Sequence, residues 1–290
     1  MTAMEALAAP FLDYGFMRRA LVGCVALSLG SAPLGVFLIQ RRMSLMGDAM
    51  AHAILPGAAA GFLVAGLSLT AMTIGGVIAG LAVALLAGLV ARATPLREDA
   101  SFAAFYLVSL GLGVLLVSVK GSNVDLMRVL FGSVLALDDP AILLVAGIAT
   151  ATLLLLAVVY RVLVAECFDR GFLAAVGGGG SVVHLVFLTL VVLNLVGGFQ
   201  ALGTLMVVGL MMLPAAAARF WAETVPGQIV VAVAAGIVAS LAGLLVSYHG
   251  HLASSPAIIL AAGTIYAASV IVGPQGGLVA GRIRRPHLQR

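Results

Sequence analysis

Long apolar runs separated by short polar links constrain this chain more than any other feature of its sequence. An apolar run of roughly 18 or more residues predicts a membrane-spanning helix, because the hydrocarbon core of a bilayer is about 30 Å thick. Charged residues make up only 9% of the chain, against about a quarter of an ordinary soluble domain. A β-barrel would need short alternating segments, whereas these runs are apolar on all sides. The sequence therefore predicts an all-α, polytopic bundle of transmembrane helices.

The runs predict about nine spans within a single transmembrane domain that covers residues 1–290. Gly57 and Gly61, like Gly76 and Gly80, have the four-residue spacing that lets two helix backbones approach closely. Residues 122–137 are too short and too polar to span, which predicts an interfacial or re-entrant segment. The predicted spans are 20–40, 46–66, 70–91, 100–119, 140–160, 180–197, 201–218, 227–247 and 255–272.

The distribution of basic residues predicts the orientation of these spans, because cytoplasmic loops carry an excess of Lys and Arg. If the loop at 162–179 is cytoplasmic, most of the arginines that flank spans lie on the cytoplasmic side. The basic residues that then lie outside are Arg18, Arg19, Lys120 and Arg128. We therefore expect the N-terminus outside and the C-terminus in the cytoplasm. Basic residues at span ends also account for the net charge of +4, so no nucleic-acid partner is expected.

Asp48 is the only acidic residue within the predicted spans, and His52 follows it by four positions. An ionisable group in hydrocarbon costs a few kcal/mol or more, so it is a functional candidate by default. Residues i and i+4 share one face of a helix, with Cβ atoms about 6 Å apart. A carboxylate and an imidazole at that spacing can bind one divalent cation such as Mn²⁺, Zn²⁺ or Fe²⁺. Pro56 and Gly57 follow, and the proline is expected to bend the helix beside the pair.

A structural role for Asp48 and His52 stays open, since the two side chains would also specify packing by bonding each other. His249 and His251 lie in SYHGHLASSP at the outer end of the eighth predicted span. They are weaker metal candidates, because histidines at a membrane edge are more often solvated interfacial residues. His184, one turn into the sixth predicted span, is expected to be a packing residue. The two thiols, Cys24 and Cys167, are expected near opposite membrane faces and unpaired.

The source of energy for transport is expected to lie in another protein. A phosphate-binding loop ends in Gly-Lys-Ser/Thr, and the only lysine, Lys120, lies between Val119 and Gly121. The loop from Glu166 to Ser181 offers a docking element instead. Residues 168–176 are predicted to form a short amphipathic helix closed by four glycines, which would contact a partner or simply lie on the lipid surface.

Five stretches of the sequence resemble, in the right order, the metal-ion permeases of bacterial ABC importers of the ABC-3 type. The most specific is RRMSLMGDAMAHAILPG at 41–57. The others are REDASFAAFYLVSLGLGVLLVS at 97–118, VLFGSVLALDD at 129–139, FDRGFLAAVG at 168–177 and ALGTLMVVGLMMLPAAAARF at 201–220.

The resemblance implies a translocation subunit in the bacterial inner membrane that works as a homodimer with two cytoplasmic ATPase subunits. A periplasmic or surface-bound protein would deliver the metal, which is zinc, manganese or ferrous iron and passes through as cargo, with no permanently bound cofactor. The resemblance places Asp48 and His52 at the family's candidate metal pair. It also implies that the ATPase is contacted by a coupling segment that includes Phe168, Asp169, Arg170, Phe172 and Leu173.

Two other functions remain open at this point. A proton-coupled secondary carrier would use Asp48 and His52 as a proton relay. An ABC permease for a metal chelate or cobalamin would need a wide apolar cavity without an ionisable pair. In either ABC reading, Arg18 and Arg19 would meet the delivery protein at the outer face, because paired arginines suit bidentate contacts with carboxylates. Ordinary anchoring among lipid headgroups is their alternative role.

Overall fold

The architecture is a bundle of α-helices. The computed structural model describes residues 3–43, 45–66, 68–95, 98–119, 134–168 and 180–279, and no strand occurs within these ranges. Besides one short 3-10 turn at Val134–Ala136, the helices are α1 Ala3–Asp13, α2 Gly15–Gln40, α3 Met46–Ala53, α4 Leu55–Ala65, α5 Leu69–Ala93, α6 Glu98–Val119, α7 Asp139–Phe168, α8 Gly180–Leu202, α9 Thr204–Ala218, α10 Val225–Gly250 and α11 Ser254–Val272.

The predicted helical class is confirmed, and the predicted count of about nine spans is slightly high. In the part of the chain that the structure describes, seven helical stretches are long and apolar enough to cross a membrane, with α3 and α4 together forming one of them. The remaining two predicted spans correspond to the apolar stretch Ala100–Leu116 within α6 and to α9, Thr204–Ala218. The 15 residues of α9 rise only about 22 Å, which is short of the hydrocarbon thickness of about 30 Å.

Helix α2 is the centre of the larger part of the bundle. It packs against α7, α8, α9 and α10, and most of its second half is buried. Close approach at this centre depends on small residues: a methyl group at Gly35 would overlap the carbonyl of Met211, and one at Gly243 would overlap the backbone of Ile258. Both cysteines are free, and Cys24 is buried within α2. The apolar patterning that predicts spans is thus the same patterning that fills this core.

Helices α3 to α6 form the smaller part of the bundle, which joins the larger part through α5 and α8 and through α3. The second predicted span divides here: α3 ends at Ala53 and α4 begins at Leu55, with Pro56 in its first turn. Gly57 and Gly61 then face α5 so closely that a methyl group on either would overlap the backbone of Gly75 or Ala71. The predicted close packing of these glycines is present, and the helix is interrupted at Ile54, shortly after Asp48 and His52.

Several predicted features fall outside the described residues. The proposed interfacial segment is described only from Val134 onward, where a 3-10 turn packs Val134 and Leu137 into the core. Of the predicted coupling residues, Asp169, Arg170, Phe172 and Leu173 lie outside the described part, as do Lys120 and Arg128. Phe168 is described, and it is the exposed last residue of α7 rather than the first residue of a separate helix.

Candidate metal site

Asp48 and His52 lie together on one face of α3, as their spacing predicts. Oδ1 of Asp48 is 3.6 Å from Nε2 of His52. The side chain of Asp48 is 63% exposed and that of His52 is 32% exposed, so neither is enclosed within this single chain. An exposed carboxylate on a helix of a membrane bundle has one of two neighbours, which are an aqueous space or another protein surface, because a lipid-facing charge is costly.

The space that these two side chains face is a cavity of about 460 Å³ between α3, α9 and α11. Its wall is mainly apolar, and a thioether and a hydroxyl are the polar groups beside the Asp48 and His52 side chains. The lining residues are Asp48, Ala51, His52, Thr204, Leu205, Val208, Gly209, Met212, Leu213 and Ile259. A mainly apolar cavity with a few convergent polar groups is typical of a binding site for a small solute.

The separation of the two donor atoms suits a shared divalent cation. Oxygen and nitrogen ligands lie about 2.0–2.2 Å from Zn²⁺. Two donors 3.6 Å apart would then subtend an angle of about 120° at the metal, close to a tetrahedral arrangement. Within the described ranges no group of three or more His, Cys, Asp or Glu side chains converges. One chain therefore offers two ligands here, which suits a transit point better than a permanent site.

The surroundings of His52 come from α6. The ring of Tyr106 stacks on the imidazole, with centroids 6.1 Å apart and an angle of 30° between the planes. The hydroxyl of Ser109 donates to the carbonyl of Ala53 at 2.9 Å. Within the described part of the chain, the buried Nδ1 of His52 has no hydrogen-bond partner. Sequence reasoning predicted the proximity of Asp48 and His52 but not these neighbours, because nothing in the sequence indicates which helix packs on α3.

A second carboxylate–imidazole pair corrects the expectation that Asp48 is the only acid within a span. Helix α7 continues past the predicted end at residue 160 to Phe168, and Glu166 lies inside it with its side chain only 8% exposed. Arg41 Nη2 donates to Glu166 Oε2 at 2.6 Å, and Arg41 Nη1 lies 2.7 Å from Nδ1 of His184. His184 Nδ1 is also 3.8 Å from Glu166 Oε1. His184 is thus a buried packing residue, as predicted, but with a charged partner that the sequence did not indicate.

This second cluster, formed by Arg41, Glu166 and His184, is closed on all sides. The guanidinium of Arg41 is 1% exposed and lies 4.7 Å from the centroid of the Phe187 ring. Because an arginine is always a donor, Nδ1 of His184 must accept, which leaves the imidazole neutral with its hydrogen on Nε2. The cluster is therefore an ion pair with a neutral hydrogen-bonding neighbour. It joins the end of α2 to α7 and α8.

The weaker candidates lie away from the cavity. His249 and His251 are exposed at the end of α10, where the rings of Tyr248 and His249 meet at 5.2 Å, and neither histidine lines the cavity. Arg18 and Arg19 are exposed near the start of α2. Arg19 Nε lies 3.8 Å from the carboxylate of Asp139, and both of these side chains are more than half exposed. Their predicted docking role stays a prediction.

Most of the chain matches one known protein family. Residues 13–273 match the model of the ABC 3 transport family. The chain is 30% identical over 269 residues to the manganese transport system membrane protein MntC of Halalkalibacterium halodurans, covering 92% of this chain and 91% of that one. It is 30% identical over 283 residues to the zinc transport system membrane protein TroC of Treponema pallidum, covering 95% of each. The solved structure of PsaBC from Streptococcus pneumoniae in complex with Fab superposes with a TM-score of 0.84 at 28% identity, covering 96% of this chain and 99% of that one.

Proposed function

The chain belongs to the ABC 3 transport family, and from that premise we propose that it is the membrane subunit of an ATP-driven importer that passes Mn²⁺ or Zn²⁺ between Asp48 and His52. Membership makes it a multi-pass membrane transport component, in agreement with the seven span-length helical stretches among its described residues. The choice of cargo rests on relatives named for manganese and for zinc, together with a ligand pair that accepts both ions.

One observation carries this proposal: a carboxylate oxygen and an imidazole nitrogen 3.6 Å apart at the wall of a cavity of about 460 Å³. The carboxylate supplies the charge that attracts a dication, and the imidazole supplies a nitrogen ligand. The apolar remainder of the wall offers few other ligands, so an ion held there is free to leave when the pair is disturbed. Binding strong enough to admit an ion and weak enough to release it is what conduction requires.

We include a second copy of the chain in the proposal. The side chain of Asp48 is 63% exposed, which leaves a charge at the surface of the bundle. A second copy facing it would bury that charge in the interface. Two copies that bring their pairs to a common axis would raise the number of oxygen and nitrogen ligands from two to four. Four ligands are the usual coordination number of Zn²⁺ in proteins.

The energy source and the delivery protein complete the proposed assembly. A cytoplasmic ATPase pair would contact the coupling segment at 162–179, which includes Phe168, Asp169 and Arg170. An extracytoplasmic binding protein would meet Arg18 and Arg19 at the other face. Replacing residues 169–176 by a Gly/Ser stretch of equal length should leave the protein inserted but abolish stimulation of ATP hydrolysis by the loaded binding protein. Normal stimulation would remove the coupling role from this segment.

Family membership weighs against the two other functions. A proton-coupled carrier would work without a partner ATPase, which is not how a chain of an ABC transport family is expected to work. A permease for a bulky chelate would be expected to lack the ionisable pair at the cavity wall.

The deciding experiment replaces the pair one residue at a time in cells that also carry the partner subunits. Asp48→Asn keeps the shape but removes the charge, and His52→Ala removes the nitrogen ligand. Each should abolish uptake of radiolabelled Mn²⁺ and Zn²⁺, while the permease still co-purifies with its ATPase. Glu223→Gln is the matched control, since it removes an exposed carboxylate from the link before α10. Uptake at the wild-type rate in Asp48→Asn or His52→Ala would contradict the proposed site.

A further inference from the structure

One stripe of α6 packs against the break between α3 and α4, next to His52. Tyr106, Ser109 and Gly113 lie three and four residues apart on this stripe, as residues on one helix face do. Tyr106 contacts the imidazole of His52, and Ser109 donates to the carbonyl of Ala53. Gly113 meets the first turn of α4, where a methyl group on it would lie 3.2 Å from the backbone nitrogen of Pro56. Three successive residues on this stripe therefore contact His52, Ala53 and Pro56 in turn.

The break between α3 and α4 leaves one helical hydrogen bond unmade beside His52. Pro56 has no N–H, so the helical hydrogen bond to the carbonyl of His52 four residues earlier cannot form. The turn that carries His52 is thus not continued by regular helix on its C-terminal side, where α3 ends at Ala53. The 2.9 Å bond from Ser109 holds the next carbonyl along the chain, that of Ala53. Ser109 is itself 5% exposed, so this bond is shielded from competing water.

The imidazole of His52 is oriented mainly by its contact with a second ring. A histidine that binds a metal almost always donates its other ring N–H to a carboxylate, carbonyl or water, and this bond both orients the ring and raises its basicity. Here Nε2 faces Asp48, whereas the buried Nδ1 meets no partner in the described residues. The imidazole stacks with the ring of Tyr106, and the two ring centroids are 6.1 Å apart. Stacking fixes the plane of a ring but adds no acceptor to it.

We propose that Tyr106 and Ser109 are positioning residues for metal transfer, which hold the Nε2 of His52 toward Asp48. This inference rests on the proposed function, because it assigns a role to the neighbours of the same pair. The ring of Tyr106 limits rotation of the imidazole, and Ser109 fixes the backbone carbonyl that follows it. Together they keep the two donor atoms at the separation that suits one cation.

The test compares substitutions of Tyr106 in the complete transporter. Tyr106→Phe keeps the stacked ring and should bind Mn²⁺ as the wild type does. Tyr106→Leu removes the ring and should weaken Mn²⁺ binding about tenfold, the lower end of the loss seen when an outer-shell partner of a metal ligand is removed. The same change should raise the KM for Mn²⁺ uptake more than it lowers the maximal rate. Ser109→Ala should change KM in the same direction by a smaller factor.

Val108→Ala is the control, because this side chain is 63% exposed on α6 and should leave Mn²⁺ affinity unchanged. Calorimetric titration of Mn²⁺ into the purified, assembled complex measures the affinity. Wild-type affinity in Tyr106→Leu, with binding abolished in His52→Ala, would overturn the positioning role alone. Wild-type affinity in His52→Ala would overturn the proposed metal site itself. If Tyr106→Leu does not assemble, Tyr106→Met fills similar space without a ring and decides by the same measurement.

Discussion

Two carboxylate–imidazole pairs in this protein have nearly the same separation and opposite surroundings. Glu166 and His184 approach to 3.8 Å, and Asp48 and His52 approach to 3.6 Å. Arg41 contacts both members of the first pair, whose side chains are less than 10% exposed. A cavity adjoins the second, where exposure is 63% for the acid and 32% for the imidazole. The arginine neutralises the carboxylate of Glu166, whereas the carboxylate of Asp48 is the one that we propose for a transported cation.

The comparison distinguishes a structural role for these residue types from the transport role that we propose. The closed cluster joins three helices and pairs the buried carboxylate of Glu166 with the guanidinium of Arg41. Burying ions is costly, and removing one partner of a buried pair leaves an uncompensated charge. The open pair lacks a countercharge of its own and therefore adds little to folding. Mutations at the two places should consequently affect different measurements.

The largest expected effect is on stability at the closed cluster. Arg41→Ala leaves the carboxylate of Glu166 buried without its cation, which should cost about 3–5 kcal/mol of unfolding free energy. Thermal unfolding of the purified protein in detergent, followed by loss of monodispersity, should show a much lower midpoint or no folded protein. An unchanged midpoint would mean that the Arg41–Glu166 ion pair contributes as little to stability as the open pair does. The proposed difference between the two pairs would then be wrong.

A second expected effect, smaller than the first, comes from removing both charges of the cluster. The double variant Arg41→Met with Glu166→Leu leaves no unpaired ion, and apolar replacement of a buried pair is often neutral or stabilising. It should therefore regain most of the stability that Arg41→Ala loses. The double variant and its two single variants form a thermodynamic cycle that gives the coupling energy directly. Additive losses would show that Arg41 and Glu166 act separately.

The sequence predicts the open pair better than the closed cluster, for a physical reason. Asp48 and His52 are joined by helical periodicity, so their proximity follows from spacing alone. Arg41, Glu166 and His184 come from three helices distant in sequence, and no periodicity connects them. The predicted span ends at residue 160 and leaves Glu166 in a loop, whereas the helix continues through VLVAECF to Phe168. The stack of Tyr106 on His52 is another contact between helices that spacing cannot indicate.

A third charge environment, at the outer end of α2, gives a smaller and salt-dependent effect. Arg18 and Arg19 are exposed, and the 3.8 Å contact of Arg19 with Asp139 is a surface ion pair worth about 0–1 kcal/mol. Changing both arginines to Glu should therefore leave stability unaltered. It should weaken docking of the binding protein about tenfold at low salt and less at high salt, since rim charges act mainly on association. Surface plasmon resonance across a salt series measures this, and equal affinity throughout would leave only lipid anchoring.

The smallest expected effect is on stability at the open pair. The contact of Asp48 with His52 is exposed enough that its loss should change the unfolding free energy by less than about 1 kcal/mol. Asp48→Asn should therefore unfold at nearly the wild-type midpoint in metal-free detergent, although it no longer transports. Saturating Mn²⁺ should raise the midpoint of the wild type but not that of Asp48→Asn, because a ligand stabilises only the state that binds it. If Asp48→Asn instead unfolds as easily as Arg41→Ala, the open pair is structural, and the two pairs differ in exposure but not in role.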